Sequence, residues 1–276
     1  MLNPVIYRAV LPLSRATVTY IAELLHRAQQ MRGTRRGRRR LGPFDQAVLF
    51  CRWLLDAVRI RQLAVDNAIG LKTAYRYVHE TLDVLAVQVP SLVGALLAAR
   101  AAGHSHVMID GTLIATDRVS VKGPTAGVDL WWSGKHHHHG GNVQVITAPD
   151  GWPIWVSPVR PGREHDTTCA RTHPGLLDSL EAWRDDEHAV LADLGYEGER
   201  GRLTCPVKHV KGQTLTDDEA CVNALHSATR AVAERGNSLL KNTFKALKHV
   251  TLCPWRIGVI VAAALVVLHR EHHRTT

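Results

Sequence analysis

Three carboxylates in this 276-residue chain stand where folding alone has no routine use for an acid. Asp110 ends the apolar run 106–109 and precedes Gly111. Asp193 ends the apolar run 189–192, two residues before Gly195, and Glu234 lies in a long helical stretch that follows both. The first two runs read as strands, and acids at strand C-terminal ends converge on the edge where α/β active sites form. Separations of 83 and 41 residues leave their assembly to the fold. Three gathered carboxylates repel one another unless cations neutralise them. Oxygen-only ligands with open positions suit Mg2+ or Mn2+. Two such ions about 4 Å apart activate a water or a 3′-hydroxyl and stabilise the leaving oxygen of an in-line phosphoryl displacement. A lone Asp-Gly at a strand end is a turn; the order strand, strand, helix sets these three apart.

The elements that must position them follow from the pattern downstream of residue 102. HVMIDGTLIATD, GGNVQVITAPDG and WPIWVSPV read as three successive strands, the last two joined by Pro149-Asp150-Gly151. Residues 166–182 read as a helix, 189–196 as a buried strand and 203–208 as a further one. Residues 216–248 read as a helix opened by a Thr-Asp-Asp-Glu capping signature at Thr216. After Pro254 an apolar final helix closes a mixed α/β domain.

Upstream the pattern is helical and the charge is one-sided. Of 34 Lys and Arg, fifteen lie in residues 1–100 against six Asp and Glu, while the remaining residues hold nineteen of each. A basic module joined to a neutral one suits a polyanion partner. Residues 14–31 read as a helix. Six arginines between Arg32 and Arg40 (Arg32, Arg35, Arg36, Arg38, Arg39, Arg40) then read as a flexible basic arm. The arm suits DNA phosphates or the minor groove, or is a solvated linker. Residues 44–60 read as a helix. Next come a short helix from Ile60 to Asp66, a turn through 67–70 and a longer helix from Lys72: a helix-turn-helix pattern, or a plain helical hairpin. In the first reading Leu63, Ala64 and Ile69 pack inward, and Lys72, Thr73 and Arg76 face DNA. Ala68 sits where such a turn often has Gly, and neighbouring Asn67 is the residue suited to a positive φ. Gly70 takes the N-cap.

Five dispersed cysteines without a C-x-x-C pair indicate neither a disulfide framework nor a zinc ribbon. Arg8 and Arg15 interrupt the N-terminal apolar stretch, and the run 257–268 holds only twelve apolar residues, so no signal peptide or membrane span is expected. A cytoplasmic protein is expected.

Other candidates are weaker. His136–His139 form four adjacent histidines, which cannot all face one ion; a DNA-proximal hairpin with Lys135 on phosphate suits them better. His165, Cys169 and His173 have zinc spacing but lack a fourth ligand. Asp166 reads as a helix N-cap before a metal ligand, and Asp117 as a surface acid before an auxiliary one. Lys241, Lys245 and Lys248 follow Glu234 at helical spacing and suit DNA backbone or solvent equally. Trp131 and Trp132 read as core.

The chain resembles insertion-sequence DDE transposases with an N-terminal helix-turn-helix and a ribonuclease-H-like catalytic domain, distantly akin to the Harbinger group. HVMIDGTLIATDR, WWSGKHHHHGGNVQVITAPDG, PGREHDTT, LADLGYEG, TCPVK and AERGNSLLKNTFKALKHVTLCPWRIGVIVAAALVVLHREH carry the likeness, which with the upstream helices covers nearly the whole chain. The resemblance implies a DDE triad on Asp110 in D-G-T, Asp193 in A-D-x-G-Y and Glu234 in E-R. The run of four histidines departs from relatives that mix His with Arg or Ala, and Ala68 and Gly70 weaken the helix-turn-helix match. The expected fold is mixed α+β and α/β, an all-helical module followed by a ribonuclease-H-like mixed sheet. Its expected organisation is an N-terminal helix and arginine arm over 1–43, the helix-turn-helix domain over 44–102 and the DDE domain over 103–276. The expected activity is Mg2+-dependent cleavage and strand transfer using two ions, with Mn2+ as the substitute. The expected partner is double-stranded DNA, both terminal inverted repeats and target, bound by a homodimer or larger assembly at a bacterial nucleoid. A same-fold endonuclease without strand transfer and a catalytically inert DNA-binding copy are the alternatives.

Overall fold

The computed structural model describes residues 9–35, 37–209 and 214–276. The chain divides into two compact units, Met1–Val84 and Leu85–Thr276. In the first, α1 (Arg15–Met31) is capped by Ser14, whose hydroxyl accepts from the Thr17 amide at 3.2 Å. It buries Val18, Ile21, Leu24 and Leu25 against α2 (Pro43–Asp56), which contributes Leu49, Phe50 and Leu54. Two further helices follow, α3 (Ile60–Asp66) and α4 (Leu71–Ala86).

The arginine segment between α1 and α2 is not a free arm. Arg32 and Arg39 both pair with Glu80 of α4, and Arg39 also lies 4.7 Å over the Tyr77 ring. Gln46 donates from Nε2 to Glu80 at 3.0 Å. Glu80 is 8% exposed, and a buried carboxylate without partners is costly. In the turn after α3 it is Ala68 that takes the positive φ, 51°, while Asn67 stays at −103° and donates its side-chain amide back to the Leu63 carbonyl at 2.8 Å. Leu63 and Ala64 are buried and Ile69 half-buried.

In the second unit α5 (Leu92–Ala101), which the sequence reading counts with the helical module, is tied to α7 (Leu176–Trp183) by the Trp183 indole N–H on the Leu96 carbonyl at 2.9 Å. The sheet is mixed. β1 (His106–Ala115) runs antiparallel to β3 (His138–Thr147) and parallel to β6 (Ala189–Leu191). β4 (Pro153–Val156) extends the sheet beyond β3, and the two-residue strands β2 (Trp132–Ser133) and β5 (Arg160–Pro161) also pair with β3.

Several expectations change. The strand expected over 106–117 forms as β1 to Ala115, but Asp110 lies inside it and not at a strand end, because Gly111 through Ala115 stay in register with β3. Residues 203–208 add only a bridge, Leu191 with Thr204. The helix expected over 166–182 breaks at Pro174-Gly175, where Gly175 has φ 73°, into α6 (Asp166–Thr172) and α7. α8 (Asp217–Thr243) opens with the expected capping box, Thr216 and Glu219 exchanging bonds, but stops at Phe244. Lys245 and Lys248 therefore leave the helical face that Lys241 occupies. α9 (Ile257–Glu271) buries Ile260, Leu265 and Val267. Among the described residues no helix is long and apolar enough to cross a membrane.

Candidate active site

The parallel pairing of β1 and β6 sets His106 opposite Ala189, Val107 opposite Val190 and Met108 opposite Leu191. Two further steps along that register bring Asp110 level with Asp193. The 83-residue separation read from the sequence is thus the register offset itself. Asp193 lies just past β6 and caps a 3-10 turn (Leu194–Glu199), accepting from the Gly195 amide at 2.8 Å through Oδ1. Its Oδ2 lies 3.8 Å from the Arg230 guanidinium. Asp110 accepts through Oδ2 from the Asn237 amide at 2.9 Å. Burial first, then the like charges of Asp193 and Asp166, push the Asp110 carboxyl up to about 6 against the opposing pull of Arg230 and Lys135.

Glu234 is exposed on α8 and lines the same cleft as Asp110, together with Thr112, His136, His138 and Lys241. Glu234, Asn237 and Lys241 are spaced three and four residues apart, so one face of α8 carries all three. Lys241 is turned inward, donating from Nζ to the Leu113 carbonyl at 3.1 Å, and burial lowers its pKa. Two glycines let α8 come this near. Gly151, at φ 84°, and Gly236 face each other so closely that a Cβ on Gly236 would overlap the Gly151 carbonyl.

Asp166 is not the N-cap of its helix. His165 holds that position, while Asp166, first residue of α6 and 9% exposed, turns inward to accept from Asn142 at 2.7 Å. Gly111 makes room for it, since a Cβ there would collide with the Asp166 carboxylate. Lys135 lies 3.7 Å from Asp166. Asp117 is a surface acid paired with His249 at 2.7 Å. The four histidines divide: His139 bonds Asp129 at 3.0 Å, His137 makes the turn at φ 55°, and His136 and His138 face the cleft. The zinc spacing comes to nothing, because α6 ends before His173 and burial drives the Cys169 thiol up to about 12. Trp131 is core, edge-on to Trp255 at 4.8 Å, and Trp132 lies against His139.

In the helical unit Arg35, Arg38, Arg40, Lys72 and Arg76 are exposed and Thr73 is half-buried. Arg36 lies outside the described residues. Arg39 is half-buried and held by Glu80 and Gln46. Sequence reasoning passed over Asn237, although its position three residues after Glu234 was the available signal. It also passed over Arg230 and the buried polar groups Asn142, Gln144 and Tyr196.

Among the described residues no group of three or more His, Cys, Asp or Glu side chains is close enough to hold one ion between them. A hard divalent cation such as Mg2+ does not need that many; it takes one or two carboxylates and completes its shell with water and substrate phosphate. Asp110 and Asp193 fit that requirement, each with one oxygen not engaged by an amide, and Asp110 in a repulsive field that a cation would relieve.

A family model described as DDE superfamily endonuclease matches residues 109–270, a span that includes Asp110, Asp193 and Glu234. No match is found among curated proteins. Among solved structures, a Mos1 transposase paired-end complex with left transposon end is 11% identical, covering 90% of this chain and 86% of that one at a TM-score of 0.21.

Proposed function

The chain belongs to the DDE superfamily endonucleases and is an enzyme that cleaves DNA; from that premise we propose that it is a transposase, cutting and joining DNA at a triad of Asp110, Asp193 and Glu234. The observation that carries this reading is the register-level placement of Asp110 and Asp193, with Glu234 on the wall of the Asp110 cleft. The order β4-β3-β1-β6, with β6 parallel to β1, supports a ribonuclease-H-like domain.

Asp110 and Asp193, joined by Glu234, would hold Mg2+ or Mn2+. Two such ions would supply activation of the attacking oxygen and stabilisation of the leaving one. Asn237 fixes the Asp110 carboxylate by holding one oxygen, and the Gly195 amide does the same for Asp193. Lys241 and Lys135 place positive charge beside the acids, where a phosphodiester must approach. In the first step a water oxygen bonds to phosphorus, the P–O3′ bond breaks, and the 3′ oxygen leaves with a proton. In the second that 3′-hydroxyl attacks a target phosphodiester, whose own P–O3′ bond breaks. Neither step needs a protein nucleophile, so no Ser or Cys is invoked.

End recognition falls to the basic helical unit, through Arg35, Arg36, Arg38, Arg40, Lys72, Thr73 and Arg76. Joining two ends implies at least two copies on the DNA. Substituting Arg38 or Arg40 by Ala should weaken binding across sequences and reduce the slope of log affinity against log salt by about 1 each. Fluorescence anisotropy over a salt series reads this, and unchanged slopes would take those side chains out of the interface.

The reaction is tested with a labelled pre-cut element end, supercoiled target and Mg2+. Joined product is expected. Hydrolysis without joining would leave an endonuclease, and binding without either would leave an inert copy.

A further inference from the structure

Asp193 lies beyond the last residue of β6, so the β1–β6 ladder does not itself hold it. A run of buried polar side chains leads from the turn it caps into the sheet. Tyr196, fully buried in the 3-10 turn that Asp193 caps, donates its hydroxyl to Oε1 of Gln144. Gln144, equally buried on β3, donates from Nε2 to Oδ1 of Asn142 at 2.9 Å. Asn142 donates from Nδ2 to Oδ1 of Asp166 at 2.7 Å. An ionised carboxylate only accepts, so Asp166 ends the chain and gives both amides a single orientation. Its other oxygen faces Lys135 at 3.7 Å.

The chain spans the sheet from the turn after β6 to β3, crossing β1 at Gly111. That glycine is the register partner of Gln144, and its missing Cβ is the space Asp166 fills. A second tie joins the same parts: the Thr167 hydroxyl, next to Asp166, donates to the Gly195 carbonyl. Four buried polar groups are a poor way to stabilise a fold, since apolar side chains of similar volume serve at least as well. Fully satisfied, such a network instead fixes one arrangement of the parts it joins.

We propose that Tyr196, Gln144, Asn142 and Asp166 are positioning residues that hold the Asp193 turn level with Asp110, with Asp166 acting as the chain's acceptor and not as a cation ligand. This rests on the reading of Asp110 and Asp193 as the reacting pair. Displacements near 1 Å at such a pair cost about a hundredfold in rate.

Tyr196→Phe in the full chain removes one hydroxyl and keeps the ring. The expected result is a fall of about 10²-fold in kcat for Mg2+-dependent nicking, a KM for DNA within about twofold of wild type, and faster hydrogen exchange at the Gly195 amide. A purely stabilising role would lower the unfolding temperature and leave kcat intact well below it, and that outcome overturns the proposal. Asn142→Asp and Asp166→Asn supply the second arm. Each alone lowers kcat, whereas the double variant again sets a donor against an acceptor at that link and is expected to recover most of it. If the double variant is as inactive as Asp166→Asn alone, Asp166 is a ligand and the proposal fails. Asp193→Asn separates the two readings: if it still nicks DNA the site assignment falls, and if it is dead while Tyr196→Phe is unaffected only the positioning chain falls.

Discussion

Asp110→Asn, Asp193→Asn and Glu234→Gln are each expected to lower Mg2+-dependent cleavage by at least ~10³-fold, about 4 kcal/mol of barrier, with DNA binding retained. The Asp110 substitution carries the sharpest internal control. Burial and the neighbouring Asp193 and Asp166 push its carboxyl up to about 6, which means that its ionised form opposes folding. A raised carboxyl makes this unfavourable contribution at pH above the folded value and sheds it as the pH drops below the ordinary value of 3.8. An amide of the same shape has no such charge. In cation-free buffer at pH 7.5 the Asp110→Asn variant should therefore melt at or above the wild-type temperature while being inactive. A variant both unfolded and inactive would say nothing about the triad, so the melting curve and the nicking assay are read together. Persistent Mg2+-dependent nicking in any one purified variant removes that residue from the site.

How much of this was legible in the sequence depends on whether local pattern or distant packing decides the point. The register is the clearest case: 83 residues separate Asp110 from Asp193, and 83 is the offset at which β1 and β6 pair. The apolar runs that precede both acids encode that register, because each run must lie in the same buried layer. The capping box at Thr216 was likewise local and was read as it stands. The strand over 106–117 was legible, but Asp110 was set at a strand end because Asp-Gly looks locally like a terminus, whereas pairing with β3 puts it inside the strand. Asp166 was misread for the same reason: Asp before Thr-Thr looks like a cap, and only the bare backbone at Gly111 reveals that its carboxylate turns inward. Asn237 was within reach of periodicity alone, since it shares a helical face with Glu234.

The arginine segment is where composition misled most, and it carries the second large effect. Six arginines in nine residues look like free charge, yet Arg32 and Arg39 are committed to Glu80, which Gln46 also holds. Burial alone would raise the Glu80 carboxyl; hydrogen bonds from Arg39, Gln46 and Arg32 outweigh that and hold it below the usual 4.5. A lowered carboxylate contributes stability that is fully present above its unfolded value and lost as the pH falls through the folded one. Glu80→Ala is accordingly expected to destabilise the helical unit by about 2 kcal/mol at pH 7, from loss of the charge-assisted hydrogen bonds that Arg39, Gln46 and Arg32 make to it. The loss should shrink as acid takes the wild type below about pH 4.5, where protonation weakens the same pairs. Hydrogen exchange of α1, α2 and α4 in the full chain measures it, and exchange rates unchanged at pH 7 would show that the pairs do not hold the unit together. The variant also tests how charge is divided within the segment. Freed from Glu80, Arg32 and Arg39 join Arg35, Arg38 and Arg40 as solvated cations, so nonspecific DNA binding should acquire a steeper salt dependence even as the unit loosens. Loss of stability accompanied by a shallower slope would mean instead that the Glu80 cluster presents the other arginines to DNA.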